Sequence, residues 1–593
     1  MEFLARFSVL SFESLIQTVF LGWIVLLSAF AGNVNCLNVS SLAGNFSGVS
    51  AMAVETVFQF PSALPKWPPG KGFGAGEIDL GGLIVAEVSN FTKIWAAQEG
   101  GPDGSGAAIF EPTAVPDGFH VLGYYGQPNN VPLFGWVLVG KDVTNDSAAA
   151  AAYGGGGGGA LASPVDYTLV WSSENTGIEQ DSAAYIWLPV PADGYNAVGH
   201  VVTTSPEKPP LEKIRCVRVD FTDVSENDDW IWGSNGLNIY SSRPKDRGIK
   251  FSGVNAGTFI AQVSDNGTSS SVACLKNLNP KNTSAMPNLS QIDALIQTYS
   301  PWIYFHPDDE FLPSSVDWFF ENGALLYTKG QESSPVAVQP GGENLPQGGD
   351  NDGAYWLDLP LSDPDRVKQG NLQNSTFYIH VKPMFGATFT DLAVWVFYPF
   401  NGPARAKVSF LTLQLGKIGE HVGDWEHVTL RISNFNGELK RVYFSEHSKG
   451  TWLSAAAVEL QDGNKPVVYS SLHSHASYPK PGLVLLGGED IGIRDDTERG
   501  DVYIDTAASF SVVSAEYLGP AIVEPPWLNF AREWGPKIEY DFEKELEKVE
   551  RFLPGKLKED LENIIKNIPS EVLGEEGPTG PKGKDNWSGD EDY

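Results

Sequence analysis

Apolar residues in the second half of the chain alternate with a period of two, most clearly in Ala393-Val-Trp-Val-Phe-Tyr398 and His427-Val-Thr-Leu-Arg-Ile432. That period sends successive side chains to opposite faces of a β-strand. Turns rich in Pro and Gly bound most such runs, so residues 290–535 are expected to form a β-sandwich. Beyond Gly535 the spacing changes. Phe542, Leu546, Val549, Phe552 and Leu553 recur at helical intervals among Glu and Lys, and Leu557, Leu561, Ile564 and Ile565 continue past Pro554. This predicts two closing amphipathic helices over 536–570. The stretch 571–593 is polar and Gly/Pro-rich and reads as a tail.

The first half carries a repeat. Phe91-Thr-Lys-Ile-Trp95 matches Tyr167-Thr-Leu-Val-Trp171, and Asp117-Gly118-Phe119-x-x-Leu122-Gly123 matches Asp193-Gly194-Tyr195-x-x-Val198-Gly199, both displaced by 76 residues (95 to 171, 119 to 195). A third, shorter copy runs from Trp230-Ile-Trp232 through Asp246-Arg-Gly248 to Gly253. Units of this length cannot bury their apolar faces alone, which predicts a prism-like β-repeat domain over 58–275. Trp95 and Trp171 recur at equivalent positions and are expected in its core rather than in a ligand stack. A Gly-rich insertion at 148–163, with Gly154 to Gly159 consecutive, reads as a surface loop. A domain boundary is expected near 276–290.

At the front, Arg6 precedes an apolar run from Thr18 to Phe30 that ends in Ala29-Phe30-Ala31. This is the pattern of a secretory signal peptide over 1–31, followed by a linker over 32–57. The run is short for a membrane span. Nine Asn-x-Ser/Thr sequons, among them Asn38, Asn90 and Asn586, are compatible with a glycoprotein. Cys36, Cys216 and Cys274 allow one bridge at most and no disulfide framework.

Charge narrows the partners. A net charge of −33 repels phosphate backbones, so nucleic acid is not expected as a partner. Anionic membranes would require a bridging cation or a neutral lipid ligand. Gly135-Trp-Val-Leu-Val-Gly140-Lys141-Asp142 nearly spells a phosphate-binding loop, but Asp stands where that loop needs Ser or Thr. The signatures of serine hydrolases and zinc proteases are absent. Enzymatic activity is therefore not the expected role.

The chemistry concentrates in His421-Val-Gly-Asp424-Trp-Glu426-His427. In a strand, Glu426 shares a face with Val428, Leu430 and Ile432, and Asp424 lies on that same apolar side. Two carboxylates so placed repel one another and call for a positive partner. His421 has the wrong parity for that face, but Gly423 could let the chain turn it inward. His473 and His475 are additional candidates. Imidazole with carboxylates suits Zn or Mn, and a carboxylate-dominated site suits Ca or Mg. The alternative is that Asp424 and Glu426 accept hydrogen bonds from Arg or backbone N–H groups and no ion is bound. The acidic runs His306-Pro-Asp308-Asp309-Glu310 and Arg494-Asp495-Asp496-Thr-Glu498 read as a turn and a solvated loop.

Several motifs carry a resemblance: Phe60-Pro-Ser-Ala-Leu-Pro-Lys-Trp-Pro-Pro69, Pro116-Asp-Gly-Phe119, Tyr299-Ser-Pro-Trp-Ile-Tyr-Phe-His306, Gly423-Asp-Trp-Glu-His427, Ser474-His-Ala-Ser-Tyr-Pro479 and Gly577-Pro-Thr-Gly-Pro-Lys582. Together they resemble the plant family known as domain of unknown function 946, or vacuolar protein sorting-associated protein 62-like. The N-terminal repeats are similar to the β-repeats of vacuolar protein sorting-associated protein 13, which implies docking of protein partners. His421-x-x-Asp424-x-Glu426 is similar to the cation-binding heptapeptide of necrosis- and ethylene-inducing-like proteins. That likeness implies His421, Asp424 and Glu426 as ligands of a divalent cation and a lipid or glycan headgroup as partner. Gly423 departs from it, standing where the heptapeptide has a second His. The resemblance implies a non-enzymatic role in the endomembrane system or vacuole. A secreted headgroup-binding protein, a metal-dependent hydrolase using Glu426, and a cytosolic protein for which 1–55 is an extension are the alternatives.

Overall fold

The computed structural model describes residues 56–144, 158–263, 272–279, 282–447, 449–487, 491–537 and 577–591, with single helical positions at 544, 555, 556, 558, 559 and 562. The expected signal peptide, most of the linker and nearly all of the two closing helices lie outside the described residues. The described chain is mostly β, in many small antiparallel sheets with few helices, as the alternation predicts. Among the described residues no helix is long and apolar enough to cross a membrane.

Among the described residues of 77–276, three of the sheets each carry a tryptophan to a common point. The first contains Phe91–Ala97, Ala107–Pro112 and Tyr125–Pro128, and the second Asp166–Ser172, Tyr185–Val190 and Val201–Thr203. The third contains Thr222–Ser234, Leu237–Pro244 and Phe259–Val263. Trp95, Trp171 and Trp232 pack edge to face with ring centroids 5.3, 5.8 and 6.4 Å apart. The repeat in the sequence is thus a repeat in space, and the third tryptophan belongs to it.

The close approach at the axis explains the repeated glycines. A Cβ on Gly123 would lie 2.6 Å from the Gly199 Cα and 2.8 Å from Thr258 Cγ2. The third counterpart is therefore Thr258, not the predicted Gly253. The Gly-rich insertion is shorter than expected, because Leu161–Ala162 already form a strand beside Cys216–Arg218.

The second half is built on a six-stranded sheet in the order Lys449–Ser454, Leu439–Glu446, His421–Ser433, Phe389–Asn401, Phe377–Met384 and Phe510–Ser514. One face, including Val394, Val396, Val428, Leu430 and Ile432, packs on the helix Leu289–Tyr299 through Ile292, Leu295, Ile296 and Tyr299. That helix falls at the predicted boundary, where strands were expected. Its signal is nevertheless present: Asn288 and Gln291 form a capping box, and the apolar residues recur at helical spacing. The opposite face buries Trp395, Phe397 and Trp425 under Phe319, Trp527, Trp534 and Trp587.

The predicted tail is the main departure from the sequence reading. Residues 577–591 lie against the sheet, with Trp587 6% and Glu591 1% exposed. Trp587 stacks on His380 at 3.8 Å. Lys382 Nζ donates to Glu591 Oε1 at 3.2 Å, Thr429 Oγ1 to the same oxygen at 2.6 Å, and Arg431 to Asp590 at 2.5 Å. Polar composition looked like solvation because the buried cations that neutralise these acids sit about 160 to 210 residues earlier in the chain.

Candidate functional site

The strand His421–Ser433 changes hand at Gly423, which has φ +70°. Val422 joins Trp425 in the aromatic core on one side, although simple alternation would separate them. His421 is correspondingly carried to the face of Asp424, and its Nε2 stands 3.9 Å from Asp424 Oδ1. A side chain at 423 is excluded as well as strained, since a Cβ there would lie 2.3 Å from the Trp534 carbonyl oxygen. This accounts for glycine at the position where the similar heptapeptide has histidine.

Asp424 and Glu426 are 6% and 8% exposed, and both line a cavity of about 430 Å³. His421, His447, His473 and Asp495 share the wall, with Lys584 from the docked C-terminal segment. His475 stands behind it, fully enclosed, its ring stacked on Tyr398 at 3.8 Å. The structure thus brings His421, Asp424, Glu426, His473 and His475 together.

Each acid has a different neighbourhood. His475 Nδ1 donates to Asp424 Oδ2 at 2.9 Å, and its Nε2 donates to the Phe311 carbonyl at 3.0 Å. With an oxygen at both nitrogens the ring is held as imidazolium. Burial opposes that charge, but the hydrogen bond to Asp424 and the charge of Asp309 outweigh it and raise the His475 pKa. Burial likewise raises Asp424, yet the His475 hydrogen bond and the His421 charge bring it below its ordinary value.

Glu426 has no such partner. Burial and then the Asp424 charge push it up to about 8, while Ser445 Oγ donates to its Oε2. The surroundings thus favour the ionised form at Asp424 and the protonated form at Glu426.

Four residues at this site escaped the sequence reading. Asp309, expected in a turn, has a side chain that is 1% exposed and accepts from the His473 backbone N–H at 3.2 Å. Asp495, expected in a loop, lies in the strand Ile491–Thr497 and is fully buried. It accepts from His447 Nε2 at 2.9 Å, Ser474 Oγ at 2.6 Å and Tyr478 OH at 2.6 Å. Despite burial, the His447 charge keeps its pKa low. The alternation Ile491-x-Ile493-x-Asp495-x-Thr497 was the available signal for that strand. His447 and Lys584 had none, since their roles depend on distant contacts.

Three histidines of the site have left-handed backbones: His447 at φ +58°, His473 at +73° and His475 at +57°. Each costs about 1 kcal/mol or more, and such strain gathers where side chains must be aimed.

His421 Nε2 and Asp424 Oδ1 stand 3.9 Å apart and both residues border the cavity. The second Asp424 oxygen is taken by His475, and one Glu426 oxygen is engaged by Ser445. Among the described residues no group of three or more His, Cys, Asp or Glu side chains is arranged to hold a metal. As it stands, the site is a hydrogen-bonded cavity whose wall carries Arg405, Arg494 and Lys584 as well as Asp424, Glu426 and Asp495, rather than a preformed cage.

Comparison with known proteins places the chain. The family model described as vacuolar protein sorting-associated protein 62 matches residues 54–591. The Saccharomyces cerevisiae protein of that name is 26% identical over 211 residues, covering 31% of this chain and 42% of the yeast protein. The chain thus spans less than half the length of that curated relative. Among solved structures, GNIP1Aa from Chromobacterium piscinae is 18% identical with a TM-score of 0.27, covering 37% of this chain and 40% of its own. Necrosis and Ethylene inducing Protein 2 from the causal agent of cocoa's Witches Broom disease is 13% identical with a TM-score of 0.18, covering 38% and 74%.

Proposed function

The chain belongs to the vacuolar protein sorting-associated protein 62 family, and from that premise we propose that it is a non-enzymatic binding protein of vacuolar or endomembrane trafficking, with the Asp424–Glu426 cavity as its ligand site. The observation that carries the reading is the geometry of the two acids: Asp424 and Glu426 lie buried on one wall of the cavity, where burial and the Asp424 charge raise the Glu426 pKa. A ligand that brings positive charge or hydroxyl donors relieves that conflict, so the ligand class is a polar headgroup, of lipid or glycan, with a divalent cation as its charged component. His421, Asp424 and Glu426 would hold the cation, which would bridge the acids to the headgroup. The β-repeat region, 58–275, is the proposed surface for protein partners.

Among the described residues the hydroxyls beside the cavity, Ser474 on Asp495 and Ser445 on Glu426, donate to carboxylates rather than to a histidine. The histidines are engaged by carboxylates or by backbone carbonyls, as in His473 Nδ1 to the Pro403 carbonyl at 2.9 Å.

The test is metal content of the purified full chain at pH 8.5 and pH 6, beside an Asp424→Ala/Glu426→Ala variant. Wild type should hold about one equivalent at pH 8.5 and release it at pH 6, because the proton on Glu426 competes with the ion. Equal content in both proteins would remove the cation from the proposal. Recovery of the protein from the medium rather than from endomembrane fractions would overturn the trafficking role.

A further inference from the structure

A second cavity, of about 340 Å³, opens where the repeat region meets the sandwich. Tyr125, Trp136 and Trp230 line it from the repeats, and Phe385, Phe389 and Trp452 from the sandwich. Trp136 packs on Phe389 with centroids 5.2 Å apart. Trp230 is 40% exposed at the rim, whereas Trp95, Trp171 and Trp232 of the repeats are buried. An exposed indole on a concave, aromatic wall between two packed units is the setting of a small-molecule site.

Charge selects the ligand. Arg441 pairs with Asp228 at 3.1 Å and Asp229 at 3.0 Å. Arg431 is bound by Asp391 at 2.8 Å and lies over the Trp452 ring at 4.2 Å, and Lys440 is bound by Glu87 at 2.7 Å. Each cation on the described wall has an anion, and the acids Asp228 and Asp229 are held by Arg441, so a ligand charge of either sign would be desolvated against groups that are already paired. A neutral ligand with an apolar face and a hydroxyl edge loses nothing by this. Its face would stack on indole, and its hydroxyls would reach Ser241, Asn255, Asp228 and Asp229, which line the cleft.

We propose that this interdomain cleft is a binding site for a neutral pyranose sugar, separate from the cavity at Asp424. The size fits one or two sugar rings, at the lower end of ligand pockets.

The experiment is a saturation-transfer NMR and tryptophan-fluorescence titration of the full chain with methyl glucoside, methyl mannoside, methyl galactoside and cellobiose. At least one should saturate a single site. Trp230→Ala should weaken it about tenfold by removing the stacking face, and Trp230→Phe should restore part of the affinity while keeping an apolar rim. Asp229→Asn should weaken it severalfold, and Glu426→Gln in the other cavity should leave it unchanged. The proposal is overturned if no saccharide of the panel saturates, or if Trp230→Ala binds as wild type. It is overturned equally if N-acetyltryptophanamide or tetramethylammonium occupies the cleft in preference to the sugars.

Discussion

Two polar clusters lie on the same six-stranded sheet and resolve burial in opposite ways. Around Lys382 and Arg431 the incoming acids Glu591 and Asp590 each meet a buried cation. Burial would raise Glu591, but Lys382 and His427 hold it well below the ordinary carboxylate range. Around Asp424 and Glu426 the match fails, one acid takes up a proton, and the cluster borders a cavity. Compensated charge closes the surface at the first cluster, whereas the acids of the second border a cavity.

The largest effect should come from breaking the compensated cluster. Glu591→Ala leaves Lys382, 1% exposed, without its carboxylate, and unfolding should become easier by about 3–5 kcal/mol. A thermal scan that matched wild type would show that the C-terminal segment does not seal the sheet. Gly423→Ala should follow, at about 2–3 kcal/mol, since it adds a Cβ against the Trp534 carbonyl to a left-handed backbone. Denaturant midpoints with an unchanged slope would measure it.

Glu426→Gln addresses the uncompensated cluster and should act in the other direction. Folding raises the Glu426 pKa from 4.5 to about 8, so the folded state binds the extra proton. The associated stability is complete below pH 4.5 and is lost as pH rises through about 8. The variant should lack this loss and exceed wild type by about 2 kcal/mol or more at pH 8.5. Equal pH profiles for the two proteins would refute the assignment of the proton.

Asp424→Asn should have the smallest effect on stability, about 1–2 kcal/mol, but a distinct signature. His475 loses the acceptor that keeps it charged, so its titration, followed by NMR, should move down. An unmoved His475 would place its charge on Asp309 instead.

Much of this was legible in the sequence. Period-two alternation over 393–398 and 427–432 marked two strands that extend over 389–401 and 421–433, and the 76-residue displacement (95 to 171) marked units that place Trp95 and Trp171 together. The inward aim of Asp424 and Glu426 followed from strand parity. Asp495 and Glu591 were misread for one reason: acids flanked by polar residues suggest solvent unless their cationic or hydroxyl partners are known, and Lys382, His447 and Tyr478 are remote from them in sequence.

Local patterning therefore determined the β character, the repeat and the face on which the carboxylates lie, because side-chain direction in a strand depends only on neighbouring residues. Tertiary structure decided the charge states. Whether a buried acid is neutralised by a cation, as Glu591 is by Lys382, or by a proton, as Glu426 is, depends on the distance to groups elsewhere in the chain. Electrostatic energy in a low-dielectric interior is set by those distances, and no local pattern encodes them.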